Sequence, residues 1–222
     1  MFLSRNSGEM TLLLPDNATV LFHGDSITDA GRNQENEGLG TGYAMMESAW
    51  FSAVHPKRNV RFINRGVEGY RVRDLRDCWS KDCLELKPEV VSILIGINDI
   101  FRKGFFGLRQ STAIESFEND YREILESTRN TLNSRIILLE PFLLHVTKAT
   151  IKLRKNLDPI REVVSDLSRE FKTLYIPLDK IFAESTQTKE PSFWAQDGVH
   201  PTLAGHALIA HHWLKTVCGI NF

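Results

Sequence analysis

Short runs of consecutive apolar residues alternate along this chain with longer stretches in which apolar positions recur every three or four residues. Five runs read as buried strands: Thr19–Phe22, Val60–Asn64, Val90–Ile95, Arg135–Leu139 and Thr173–Pro177. Most lack strict alternation, which marks strands covered on both faces, as in a parallel sheet. Helical spacing fills the intervals, over Tyr43–Val54, Val72–Leu86, Ile114–Thr131, Leu157–Phe171 and Leu203–Val217. In the third of these, Ile114, Phe117, Tyr121, Ile124, Leu125 and Thr128 share one face. Pro201 is expected to open the last helix, where its missing N–H costs nothing. The alternation of strand and helix predicts an α/β protein, a three-layer α/β/α sandwich with a five-stranded, mostly parallel sheet. In such sheets the reactive groups sit on loops beyond the carboxyl ends of the strands.

A length of 222 residues suits one domain with a single core, residues 1–18 forming an N-terminal extension. No repeat, low-complexity tract or linker interrupts it, and the polar, Gly-rich stretch Gly31–Gly42 reads as a loop on the reactive side. The net charge of -1 leaves no electrostatic footprint for nucleic acid or an anionic membrane. No apolar run approaches the roughly 20 residues needed to span a bilayer, and Met1–Glu9 lacks the apolar centre of a secretory signal. Cys78 and Cys83, five positions apart on one expected helix, face different ways and lie too far apart for a relaxed disulfide. With an odd count of three cysteines, reduced thiols and a cytoplasmic location are expected.

Candidate chemistry lies at the ends of the first three strands. Val20-Leu21-Phe22 runs into Gly24-Asp25-Ser26-Ile27-Thr28, which places a serine hydroxyl and its backbone N–H at a strand tip before a helix start. Thr28 stands where the nucleophile elbow of α/β-hydrolases has its second glycine, so this is a different turn. Read alone, Asp25 or Ser26 serves equally well as a helix cap. Asn64-Arg65-Gly66 closes the second strand, where a glycine admits close approach of a ligand or simply makes a turn. Gly96-Ile97-Asn98-Asp99 closes the third, and an asparagine amide is a neutral donor suited to a developing alkoxide, although a self-bonded turn is the plainer reading. Far along the chain, Asp197 and His200 stand three residues apart. A carboxylate there can fix the imidazole tautomer and leave the other ring nitrogen to take a serine proton, the alternative being an ordinary Asx-turn. Taken together the plain readings weaken, because successive strands end in residue types that one mechanism requires.

Gly24–Thr28, Gly66, Gly96–Asp99 and Asp197–His200 resemble, in order, the four blocks of the SGNH hydrolases, also called GDSL esterases/lipases. The resemblance covers nearly the whole chain and implies a flavodoxin-like sandwich that hydrolyses esters through an acyl-enzyme. It implies Ser26 as nucleophile, His200 as general base and Asp197 as its orienter. The oxyanion hole is expected from the N–H groups of Ser26 and Gly66 and the side chain of Asn98, with no cofactor or metal required. Ile27 stands where many members have leucine.

Gly40-Thr41-Gly42-Tyr43, Asn64–Gly69 and Phe193-Trp194-Ala195 are similar to the subgroup of bacterial acetylxylan esterases and related carbohydrate O-acetylesterases. Glu68 replaces the serine expected there, and Tyr70 a small polar residue or asparagine. The substrate expected is a short acyl ester, acetyl on a sugar or oligosaccharide, with Asp25, Tyr43, Phe101 and Trp194 as candidate substrate contacts. Rival readings are a lysophospholipase- or thioesterase-type enzyme acting on lipid esters, disfavoured by the lack of a long apolar lid, and a non-catalytic carbohydrate-binding protein. Phe101, Phe105 and Phe106 suit either a loop over the site or subunit contacts in a homo-oligomer. His206, His211 and His212 do not converge on one point and read as packing or surface residues, and His23 reads as structural.

Overall fold

The computed structural model describes residues 3–6, 9–12, 14–101 and 110–219. Strands β1 (Leu3–Asn6) and β2 (Glu9–Leu12) pair as an antiparallel hairpin within the N-terminal extension. The central sheet holds β3 (Thr19–Gly24), β4 (Arg61–Asn64), β5 (Val90–Leu94), β6 (Arg135–Leu139) and β7 (Leu174–Ile176). Its order is β4-β3-β5-β6-β7, and every pairing is parallel, so the sheet is more uniform than the mostly parallel arrangement expected. All five carboxyl ends therefore lie along one edge. The chain steps from β3 to β4 on one side and then to β5 on the other, which opens a crevice beyond the end of β3.

Two helical layers explain why the central strands carry unbroken apolar runs. Helices α2 (Tyr43–Val54) and α8 (Leu203–Cys218) pack together on one face. There Phe22 of β3 meets Tyr43, Phe62 and Trp213 in the core. Helices α3 (Val72–Trp79), α4 (Gln110–Thr131) and α5 (Lys148–Phe171) follow one another on the opposite face. Buried indole nitrogens find partners on each side: Trp213 donates to Ser92 Oγ at 3.0 Å, and Trp79 to Thr128 Oγ1 at 2.9 Å. No helix among the described residues is long and apolar enough to cross a membrane.

Several element boundaries depart from the sequence reading, among them the start of α4, at Gln110 rather than Ile114. The helix expected over Val72–Leu86 is α3 followed by a π-helical turn, Ser80–Leu84, so Cys78 and Cys83 do not share one regular helix; both are free thiols, as is Cys218. Helix α5 already starts at Lys148, because Thr147 Oγ1 accepts the Thr150 N–H at 3.2 Å and caps it; Pro159 lies inside the helix. Pro201 does not open α8. It bridges to Ala195, while Thr202 caps the helix by accepting the Gly205 N–H at 3.2 Å, a service proline cannot provide. Short helices α6 (Leu178–Ser185) and α7 (Pro191–Trp194) lead into that bridge.

Candidate active site

The end of β3 turns sharply into α1 (Ser26–Asp29), a helix of four residues. A side chain at Gly24 would overlap Leu94 O and Thr28 Oγ1, so only glycine lets the chain turn against β5. Asp25 caps α1, its Oδ1 accepting the Ile27 N–H at 3.0 Å. Ser26 thus holds the first helical position, where backbone N–H groups have no acceptor inside the helix.

The second half of the site arrives from the loop between α7 and α8. Ser26 Oγ lies 3.0 Å from His200 Nε2, and His200 Nδ1 lies 2.6 Å from Asp197 Oδ2. Asp197 Oδ1 accepts the N–H groups of Val199 at 2.8 Å and His200 at 2.7 Å, locking carboxylate and imidazole into one turn. Partial burial works against the Asp197 charge, but the bonds from the His200 ring and from the two backbone N–H groups outweigh it and hold the carboxyl below its ordinary range. An ionised Asp197 fixes the proton on Nδ1 and leaves Nε2 with its lone pair toward the serine. Gly198 at the centre of the turn has φ +87°, and a side chain there would overlap Leu144 O. The side chains of His200 and Asp197 are 57% and 55% exposed, so a bulky ester can reach the serine from solvent.

Asn98 stands at the end of β5 and donates one amide hydrogen to Tyr70 O at 3.0 Å, leaving the other for a ligand. Gly66 departs from the expected role. Its N–H donates to Asn64 Oδ1 at 2.8 Å and is not available to an oxyanion. In the same loop the N–H groups of Arg65, Val67, Glu68, Tyr70 and Arg71 all have acceptors as well. Among the described residues of this loop, the unengaged N–H is that of Gly69. Gly69 sits at the third position of the turn closed by Tyr70 N–H to Val67 O, with φ +76° and open space around it. The turn is held between the two ends of the site, since Val67 N–H bonds Gly24 O at 3.0 Å and Tyr70 O bonds Asn98. The spacing Gly66-Val67-Glu68-Gly69 carried the signal: a second glycine in so short a loop marks the position where the backbone adopts positive φ.

Two of the candidate substrate contacts are corrected by their burial. Asp25 is 1% exposed and Tyr43 is fully buried, so neither offers a surface to a sugar. Tyr43 Oη instead pairs with Thr28 Oγ1 at 2.8 Å beneath the nucleophile turn. Its N–H donates to His206 Nδ1 at 3.2 Å, which gives His206 the packing role expected of it. Burial lowers the pKa of His206 to about 4 and keeps the ring neutral. Trp194 is half-buried, donates its indole N–H to Ser185 O at 3.2 Å and packs edge-on against Phe193. Phe101 is half-exposed next to Asp99 and Ile100, whereas Phe105 and Phe106 lie outside the described residues. The His211 and His212 rings are nearly perpendicular and converge on no common point.

Among the described residues one cluster has metal-ligating residue types: His23, Cys78 and Asp82, with ligand atoms within 4.8 Å of one another. Its hydrogen bonds oppose that use. His23 Nδ1 accepts the Gly24 N–H at 3.0 Å, which places the ring proton on Nε2, the atom facing Cys78 Sγ at 3.8 Å and Asp82 at 3.9 Å. A ligating nitrogen must present a lone pair there, and its opposite nitrogen must donate. Burial also raises the Cys78 pKa to about 12 and disfavours the thiolate. The ring of His23 stacks on Trp79 and has the structural role expected.

Comparison with known proteins agrees with this geometry. Residues 22–208 match the model of the GDSL-like Lipase/Acylhydrolase family. The chain is 35% identical over 205 residues to an acetylxylan esterase of Geobacillus stearothermophilus, covering 89% of this chain and 93% of that protein. A GDSL-like lipase of Parabacteroides merdae superposes with a TM-score of 0.84 at 33% identity, over 93% of this chain and 98% of its own. A variant of Axe2, an acetyl xylan esterase of Geobacillus stearothermophilus, superposes with a TM-score of 0.83 at 32% identity, over 94% of this chain and 98% of its own. The Axe2 variants described as catalytic mutants replace a serine, an aspartate and a histidine, the last two standing three positions apart.

Proposed function

The chain belongs to the GDSL-like lipase/acylhydrolase family and is a carboxylic ester hydrolase, and from that premise we propose that it removes acetyl groups from carbohydrates through an acetyl-enzyme on Ser26. The observation that carries the chemistry is the unbroken chain from Ser26 Oγ through His200 to Asp197. His200 Nε2 takes the serine proton as Oγ attacks the ester carbonyl, and Asp197 stabilises the imidazolium that forms. The Ser26 N–H, the Gly69 N–H and the free Asn98 amide hydrogen receive the oxyanion. Collapse breaks the ester C–O bond and expels the sugar oxygen, which takes its proton from His200 to leave as an alcohol, and a water repeats the sequence to release acetate.

The similarity to acetylxylan esterases supports the acetyl group and the sugar. The exposure of His200 and Asp197 fits an alcohol half too large to enter a closed pocket. Acetate release from acetylated xylo-oligosaccharides and acetylated monosaccharides, fatty-acid release from lysophospholipids, and a chain-length series of nitrophenyl esters test the assignment. Turnover is expected on the acetylated sugars, with the nitrophenyl series peaking at acetyl. A peak at octanoyl or longer, with lysophospholipid hydrolysis, would assign the site to lipid esters instead.

A further inference from the structure

Asn64 ends β4 opposite Phe22 of the nucleophile strand and is 3% exposed. Its amide is fully committed. Nδ2 donates to Thr28 O at 2.6 Å and Leu39 O at 3.0 Å, with Asp29 O at 3.4 Å, and Oδ1 accepts the Gly66 N–H. These partners belong to three separate segments: the end of α1, the loop over Gly31–Gly42 and the loop that carries Gly69.

A four-residue helix has no cooperative stability of its own, and its terminal carbonyls lack intrahelical partners. Asn64 supplies the donors for the carbonyls of Thr28 and Asp29, directly below the nucleophile. The same side chain fixes Gly66, three residues before the free N–H of Gly69. One amide therefore ties the element that positions Ser26 to the loop that faces the developing charge. We propose that Asn64 is a positioning residue that sets the separation of the Ser26 nucleophile from the oxyanion loop. This rests on the esterase reading above. Asn64 touches no reacting atom and acts through backbone alone. Other clasps remain when it is removed: Val67 N–H to Gly24 O, Glu68 N–H to Asp29 Oδ2 at 3.2 Å, and Arg32 to Gly66 O. Its loss should thus shift the two halves of the site rather than unfold them, and displacements of about 1 Å can cost about 10²-fold in rate.

The test compares Asn64→Ala, Asn64→Asp and the milder Asn64→Ser on nitrophenyl acetate, with kcat, KM and thermal unfolding measured for each. Asn64→Asp keeps the acceptor for Gly66 but loses the N–H donors to α1 and to Leu39 O. Ser168→Ala, which removes a buried hydroxyl paired with Thr173 on the far side of the fold, calibrates a purely structural loss. Expected is a fall in kcat of about 10- to 100-fold for Asn64→Ala and Asn64→Asp with KM changed by less than about threefold, Asn64→Ser lying between, while Ser168→Ala loses stability at unchanged kcat. Folded Asn64 variants with wild-type kcat, or with a raised KM alone, would overturn the proposal. A wild-type protein inert toward short esters would instead sink the esterase reading on which it depends.

Discussion

Asp25 combines a structural and an electrostatic duty in one carboxyl group. Its Oδ1 caps α1, while Oδ2 is buried with no hydrogen-bond partner. Burial lifts its pKa to about 7, against the pull of the Ile27 N–H and of His200. The other titratable group coupled to it is Tyr43, itself beside Glu47. The folded protein holds this proton up to about pH 7, whereas the unfolded chain loses it near 3.8, so the contribution of Asp25 to stability falls as pH rises between those values. Asp25→Asn keeps an oxygen for the cap and should flatten the fall of Tm between pH about 4 and 7; a slope superposing on wild type would mean that the Asp25 carboxyl is ionised or solvated in the fold. Glu47 poses the same problem more sharply, with both carboxyl oxygens buried and unpartnered on α2 and its pKa raised well above 4.5 by burial. The folded protein keeps this proton while the unfolded chain has lost it, so stability falls as pH rises from about 4.5 toward the folded pKa. Glu47→Gln should flatten the decline of Tm with pH and raise Tm at pH about 8; an unchanged slope would mean that Glu47 is ionised or solvated in the fold. At this scale the meeting of Ser26, His200 and Asp197 was legible, because residue type and order point to it. The choice between Gly66 and Gly69 was not, since it turns on where the side chain of Asn64 points. Asp25 and Tyr43 were misplaced because polarity suggests exposure, and here the packing of α2 and α8 beneath the nucleophile turn decides otherwise.

Among the elements, the interiors were read more accurately than the ends. Helix α2 has the bounds its spacing predicts and α8 starts at Leu203 as its spacing predicts, but α5 begins well before Leu157, where Thr147 supplies a cap. Apolar periodicity reports the buried face and misses the start of α5, where Thr150 and Asn156 are buried while Ile151 is exposed. The π-helical turn after α3 has no sequence signature of this kind, and it moves Cys83 off the regular helical register. Thr202 illustrates what a cap does for the site. Its hydroxyl accepts from Gly205 N–H and donates to Phe193 O at 2.7 Å, clamping α7 to α8 on either side of the Asp197–His200 turn. Thr202→Ala should cost about 1 kcal/mol in urea unfolding, and Thr202→Ser should recover most of it. A loss within the error of the fit would mean that the bridge between Ala195 and Pro201 holds the loop unaided.

For the molecule as a whole, the continuous apolar runs sufficed to predict a parallel sheet, and that sheet explains how residues 171 positions apart in sequence (Ser26 and Asp197) meet at one edge. The N-terminal hairpin was not foreseen, because each strand is four residues long and neither is a continuous apolar run. The edge itself is braced from beyond β6. Arg154 donates to Asp179 and to Leu143 O, and Arg161 to Glu140. The neighbouring Leu144 N–H bonds Gly198 O at 2.8 Å in the histidine turn. The proposed function comes down to a single chemical claim, a covalent acetyl-enzyme at Ser26. It is tested most directly by rapid acid quench during turnover of an acetylated xylo-oligosaccharide, followed by peptide mass mapping. The peptide holding Ser26 should gain one acetyl group, absent in Ser26→Ala, whereas acetate release with no acetyl on Ser26, or with acetyl on another residue, would contradict it.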